Sequence, residues 1–248
     1  MQIHLTIIGF GTMGQAIASA ISKNDKKIKI IGMDKNNPKL PLNIKDVEKS
    51  DFIILAVKPQ DAKEAINEIK NHINKKTILI SIMAGFSIKK INELSNHKKI
   101  VRIMPNLGLA VGEGITVWKK SGLSKEENKK IKDLINKISE NFEVKNEDTI
   151  NKITAISGSG PAYFFILAES LLNACKNIKL NKKESIKLIT KTFSSAAILG
   201  KDGNYTELIK KVASKGGTTE AALKVLKLNH ITKKAVIAAY NRAKELNK

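Results

Sequence analysis

The segment Gly9-Phe10-Gly11-Thr12-Met13-Gly14 constrains this chain more than any other. It stands directly after an apolar run, Ile3–Ile8, and opens into an amphipathic helical pattern, Met13–Ser22. Glycines spaced G-x-G-x-x-G at a strand-to-helix turn mark the first βαβ unit of a dinucleotide-binding sheet. Gly9 permits the tight turn, Gly11 lets the backbone approach a pyrophosphate, and Gly14 lets helix and strand lie close. The helix start adds unpaired N–H groups and partial positive charge, which suit phosphates. Phe10, Thr12 and Met13 complete the loop and count with it as candidate cofactor-binding residues.

Asp34 lies twenty residues beyond Gly14, at the end of a second apolar run, Ile28–Met33. A carboxylate there accepts from a ribose 2′-OH, which favours NADH. Lys35 and Lys39 follow and would neutralise a 2′-phosphate, so NADPH and NADH both stay open. Four further runs read as strands: Phe52–Val57, Thr77–Ile82, Ile100–Met104 and Ile115–Val117. Helical patterns fall at Asp61–Asn71, Ile88–Leu94 and Lys125–Ile138. This alternation implies an α/β fold: a Rossmann-type parallel sheet with helices on both faces, over residues 1–147. The crossover 34–51 contains Pro38 and Pro41 and is expected to carry little helix.

Beyond Ile150 only helical periodicity remains, broken by glycines near 157–161, 200–203 and 214–217, so residues 148–248 are expected to form an all-helical domain. Its stretch Pro161–Lys176 is apolar on nearly every side, which implies burial all round. A helical domain of about 100 residues offers little cover for such a helix, so a second subunit is the expected source.

Composition narrows the remaining classes. With 248 residues the chain is long enough for two domains with separate cores. Its single cysteine, Cys175, forbids an internal disulfide, fits a reducing compartment and is expected to serve as core packing. No run approaches the roughly 18 apolar residues of a membrane span. The start MQIHLTIIGF has none of the layout of a signal peptide, so a cytoplasmic location and no membrane partner are expected. The net charge of +21 raises nucleic acid as a partner. Only Arg102 and Arg242 among 44 basic residues are arginine, the lysines are spread along the chain, and aromatics are 4%, so no nucleic-acid partner is expected. Anionic small molecules would still be drawn to such a surface. His4, His72, His97 and His230 stand in no motif, and no metal-ligand cluster is visible.

Four more segments are distinctive in combination. They are Ala56-Val57-Lys58-Pro59-Gln60, Arg102-Ile103-Met104-Pro105-Asn106, the run Thr154–Tyr163 (TAISGSGPAY), and Ser214-Lys215-Gly216-Gly217-Thr218-Thr219. In this order they resemble the pyrroline-5-carboxylate reductase family, from Ile3 to about Arg242. The resemblance implies an NAD(P)H-dependent reductase. It would deliver hydride to the C=N bond of 1-pyrroline-5-carboxylate and give L-proline, the last step of proline biosynthesis. It also implies an all-helical dimerisation domain, hence a homodimer, with higher assembly left open.

By the same resemblance, Ala56, Val57, Lys58 and Pro59 line the cofactor pocket, and Met104, Pro105 and Asn106 flank its nicotinamide end. Independently, Lys58 ends a strand at the side of a parallel sheet where ligands bind. Thr154–Tyr163 is expected to open the long central helix, where glycines and Pro161 suit a close-packed start. Gly216 and Gly217 precede the helical pattern Thr218–Leu226, so the N–H groups of Gly217, Thr218 and Thr219 are expected to converge on an anion. The family implies that this anion is the substrate carboxylate, with Ser214 and Thr219 adding hydroxyls, and that the segment serves a cofactor bound by the other subunit. Thr219 is the candidate catalytic residue, orienting the ring through its nitrogen; the sequence offers no evident general acid.

The sequence departs from the family where Lys215 and Gly108 replace proline and Asn151 replaces aspartate, and Asp202 stands about where glutamate is common. The related 3-hydroxyacid dehydrogenases use a lysine inside the central helix; here Pro161–Lys176 has no interior lysine, and Glu169 is its only charge before Lys176.

Overall fold

The computed structural model describes residues 2–246. The extreme positions of the two expected domains, 1 and 247–248, lie outside them. The chain divides into two compact units: one runs up to Ser159 and resumes at Ile237, and the other is Gly160–Val236.

The first unit is built on seven strands: β1 (Ile3–Ile8), β2 (Ile28–Met33), β3 (Phe52–Leu55), β4 (Ile78–Ser81), β5 (Ile100–Met104), β6 (Ile115–Ser121) and β7 (Glu140–Glu143). They are ordered β2-β1-β3-β4-β5-β6-β7. β3, β4 and β5 are buried at every position, as strands covered on both faces must be. The helices that cover them are α1 (Thr12–Asn24), α2 (Ile44–Lys49), α3 (Ala62–Ile69), α4 (Ile88–Ser95) and α5 (Lys125–Asn136). One core joins Leu5, Ile7 and Ile54 to Ile17 and Ile21 of α1 and to Ile131 and Leu134 of α5. The other joins Ile53, Leu55 and Leu79 to Ile66 and Ile69 of α3 and Ile91 of α4.

The sheet is not parallel throughout. β1 to β5 are, but β6 runs antiparallel to β5, and β7 runs parallel to β6. The cause lies in the connection after Met104, which holds only a 3-10 turn over Leu107–Val111 and no crossover helix. A parallel step needs a dozen or more residues, usually helical, so a short link reverses the chain. α2 corrects the expectation for the 34–51 crossover only slightly: it is six residues long, capped by Asn43 and begun beyond both prolines.

A single helical run of 30 residues, Asp148–Asn177, leads out of this unit. It comprises α6 (Asp148–Ile153), a π-helical turn at Thr154–Gly158, and α7 (Gly160–Asn177). The N–H of Ser159 donates to Thr154 O, five residues back, at 2.9 Å. Pro161 stands second in α7, within the first turn expected for it, with the π turn directly before. A proline ring clashes with the carbonyl four residues earlier, here that of Ser157, and the widened turn just upstream is where the helix yields. α6 is held to the sheet by Arg102, which donates from Nη1 to Glu147 (2.9 Å) and from Nη2 to Asn151 (2.8 Å). Burial lowers the pKa of this guanidinium, and Glu147 draws it back up.

In the second unit α7 is followed by α8 (Lys182–Leu199), α9 (Tyr205–Val212), α10 (Thr218–Val225) and the start of α11 (Leu228–Glu245). Its apolar faces are open: Phe164, Phe165 and Ile166 are 63%, 62% and 64% exposed. The all-round burial expected for Pro161–Lys176 is absent in the single chain, and Cys175 is only half-buried. Asp148–Asn177 is the one helix among the described residues long and apolar enough to cross a membrane, by length and composition. An open apolar surface of this extent also marks a protein interface.

Candidate functional site

The cofactor loop sits at the carboxyl edge of the parallel strands, where β1, β2 and β3 end together. Gly9 holds φ +91°, and a Cβ on it would lie 2.7 Å from the carbonyl of Ala56 and 2.8 Å from the Val57 nitrogen, so only glycine lets β1 turn this close to β3. A Cβ on Gly14 would lie 2.5 Å from Gly9 O, which fixes the helix against the loop. Gly11 differs from both: its Cβ would meet nothing within 4 Å. It is the N-cap of α1, its neighbour Thr12 begins the helix, and no side chain caps that end. The first turn thus keeps the unpaired N–H groups that a phosphate accepts, with open space before them.

That space is a cleft of about 370 Å³. Gly9, Gly11, Thr12 and Met13 form its floor, Asp34 and Lys35 its side at the end of β2, and Ala56, Val57 and Lys58 its side at the end of β3. Four other candidates do not line it. Phe10 turns its ring onto Gly32 of β2. Gly14 is buried beneath the loop. Pro59 begins the 3-10 turn Pro59–Asp61 that leads into α3. Asn106 uses its Oδ1 to accept the Ile115 N–H (3.1 Å), a tie across the β5–β6 reversal, and Leu109 of the same turn is in the core with Ala16 and Ile17 of α1.

At the adenosine end expected for the cleft, Asp34 Oδ1 accepts the N–H of Asn36 (2.9 Å), which pins the carboxylate to the turn after β2. Lys35 Nζ lies 2.6 Å from Glu64 Oε2 and 3.5 Å from Asp61 Oδ1, and the hydrogen bond to Glu64 raises its pKa. Asp61, Glu64 and Glu68 also line the cleft, and sequence reading passed over all three. Their spacing, three and then four residues, puts them on one helical face directly after a strand end, which was the available signal.

The second candidate segment belongs to the other unit. Gly216 adopts φ +75° and Gly217 is the N-cap of α10, with no side-chain cap. The expected trio of free N–H groups is reduced: Gly217 N donates to Ser214 O (3.0 Å) to close the turn. The N–H of Gly216 donates to Glu220 Oε2 at 2.6 Å, so a carboxylate already sits at this helix start. Thr218 and Thr219 begin the helix itself, with Thr218 exposed and Thr219 half-buried. Among the described residues no cluster of His, Cys, Asp or Glu is arranged to hold a metal. His97 is a packing residue, donating from Nε2 to Thr77 O (2.8 Å), and His72 pairs with Glu48.

Known proteins reproduce both parts. Residues 4–85 match the family described as "NADP oxidoreductase coenzyme F420-dependent", and residues 147–246 match "Pyrroline-5-carboxylate reductase dimerisation". A pyrroline-5-carboxylate reductase of Aquifex aeolicus is 36% identical over 241 residues, 91% of this chain and 89% of that one. One from Staphylococcus haemolyticus is 35% identical, over 99% of this chain and 98% of its own. The crystal structure of Plasmodium falciparum pyrroline carboxylate reductase with NADP bound superposes with a TM-score of 0.90 at 30% identity, covering 100% of both chains. A glycine loop shaped for a diphosphate, a second glycine-led helix start, and likeness along the full length at these identities have one reading: the chain belongs to the pyrroline-5-carboxylate reductase family.

Proposed function

We propose that this chain reduces 1-pyrroline-5-carboxylate to L-proline with NADH or NADPH, the last step of proline biosynthesis. The observation that carries the reading is the pair of glycine-led helix starts without side-chain caps, Gly11 before α1 and Gly217 before α10, in a chain alike along its length to reductases of that name. When bound, the reduced nicotinamide supplies hydride to the imine carbon of the ring. The C=N π pair then passes to the nitrogen, which already carries its proton, so no side chain has to deliver one during the transfer. What remains for the protein is placement, and proximity with orientation supplies several kcal/mol of rate.

In this reading Gly9 to Gly14 and Lys58 hold the dinucleotide, and Asp34 receives the ribose. Gly216 to Thr219 take the substrate carboxylate, displacing Glu220 from the Gly216 N–H. Ser214 adds a hydroxyl, and Thr219 orients the ring through its nitrogen. The open apolar faces of α7 and α8 are covered by a second copy, making a homodimer, and Asp148–Asn177 is an interface helix rather than a membrane span. The location is the cytoplasm. Reduced nicotinamide carrying deuterium at both C4 positions, incubated with protein and the cyclic imine, tests the reaction by mass spectrometry. Deuterium on the product carbon beside nitrogen, in material that co-elutes with L-proline, is expected; unlabelled product or none would overturn the reading.

A further inference from the structure

We propose that Glu64 and Asp61 make this enzyme prefer NADH, by holding the Lys35 ammonium and keeping the adenosine end of the cleft acidic. The proposal rests on the dinucleotide reading of the cleft. In folds of this kind the ribose lies beside the residue that ends the second strand, and a cation there is what receives a 2′-phosphate. Here that place holds Asp34 followed by Lys35. Lys35 does not stand free: its Nζ is seated on Glu64 at 2.6 Å, with Asp61 at 3.5 Å. Asp34 offers Oδ1 to the Asn36 N–H and is thereby fixed at the turn, which leaves Oδ2 to accept from a ribose hydroxyl.

The charges along the cleft point the same way. Its lining contains four carboxylates, Asp34, Asp61, Glu64 and Glu68, against two ammoniums, Lys35 and Lys58, in a chain whose formal net charge is +21. Lys58 follows Val57, whose nitrogen lies against Gly9, so it stands at the glycine loop. A 2′-phosphate would add close to two negative charges at the end of β2, where Lys35 is the one cation among the residues that line the cleft. Turning Lys35 toward it would leave Asp61 and Glu64 uncompensated beside the new anion, so the attraction gained at the phosphate is lost at the carboxylates. NADH, with a hydroxyl in that place, needs only the Asp34 oxygen. These are half-exposed groups, so the discrimination is modest and sensitive to salt.

Calorimetric titration with NADH and with NADPH, in the absence of imine substrate, tests this on wild type, Glu64→Gln, Lys35→Met and the double variant. Wild type is expected to bind NADH about ten-fold tighter than NADPH at low salt, a ratio that narrows as salt rises. Glu64→Gln frees Lys35 and should narrow the ratio about five-fold by strengthening NADPH binding, with NADH changed less than about two-fold. Lys35→Met alone should widen the ratio, because Asp61 and Glu64 then stand uncompensated beside a 2′-phosphate, and in the Glu64→Gln background it should restore the preference. Tighter NADPH binding by wild type, or a ratio that Glu64→Gln leaves in place with a native melting curve, would overturn the proposal. Because binding is read without imine, a protein that binds NADH as expected yet reduces nothing would refute the reductase reading and leave this one standing.

Discussion

Arg102 Nη1 donates to Glu147 Oε1 at 2.9 Å, and the same carboxylate oxygen accepts the Ile88 N–H at 2.9 Å, so a buried guanidinium and a part-buried carboxylate tie β5 to the start of α4 and the approach to α6. Arg102 is 1% exposed. Removing one partner of such a pair leaves an uncompensated buried charge. Glu147→Ala is therefore expected to destabilise the protein by about 3 kcal/mol, read by denaturant unfolding, whereas Lys89→Ala at the exposed Lys89–Glu93 pair should change it by less than about 0.5 kcal/mol.

The cofactor loop separates folding from binding. A Cβ at Gly11 would meet no protein atom within 4 Å, so Gly11→Val should melt close to wild type yet bind dinucleotide about 100-fold more weakly. Gly9→Ala forces a Cβ onto the Ala56 carbonyl at a positive φ and should lower stability as well as binding. Melting and titration of both variants check the contrast, and normal dinucleotide affinity in Gly11→Val would remove the phosphate from that place.

The proposed role of Thr219 is to orient the imine ring. Thr219→Ala should lower kcat with pyrroline-5-carboxylate about 10-fold to 100-fold while dinucleotide affinity stays within about two-fold, the loss expected for one hydrogen bond made in the transition state. Thr219→Ser should recover most of the rate. Steady-state kinetics beside cofactor titration distinguish this from a general loosening of α10.

His97 gives stability a pH dependence. Burial holds its pKa below the ordinary 6.5, against the pull of the hydrogen bond to Thr77 O, and nearby Lys99 lowers it further. The unfolded chain therefore takes up a proton at a higher pH than the folded one does, so the stabilisation is complete above about pH 6.5 and is lost as pH falls through the folded value. Unfolding free energy should decline from about pH 6.5 downward, and His97→Gln should flatten that part of the curve.

Much of the sheet was legible because its strands are runs rich in apolar and β-branched residues. Ile3–Ile8, Ile28–Met33 and Ile100–Met104 end where the sequence says they should. β7 was not, since Glu140-Asn141-Phe142-Glu143 has one apolar residue and is a strand only through its backbone pairing with β6. The reversal at β6 had a signal that was passed over: no helical pattern lies between Pro105 and Gly114. Pro161 marks the start of α7, as proline in a first turn does, but the π turn at Thr154–Gly158 that joins it to α6 has no signal in the sequence. Of the site, the glycine loop follows from spacing alone. The hold of Glu64 on Lys35 does not, because it depends on how α3 lies beside the end of β2.

The exposed apolar face of α7 predicts its own test. Phe165 is 62% exposed, so Phe165→Glu should leave the chain folded and convert a dimer to a monomer in sedimentation velocity. A dimer unchanged by that substitution would place the interface elsewhere.

The most direct measurement is a steady-state assay of the purified protein with pyrroline-5-carboxylate, following consumption of NADH and of NADPH in parallel. The account predicts saturable, substrate-dependent oxidation of the reduced dinucleotide with stoichiometric L-proline, and a larger kcat/KM with NADH. No oxidation of either dinucleotide in the presence of the imine, by protein that is folded and binds NADH, would contradict it.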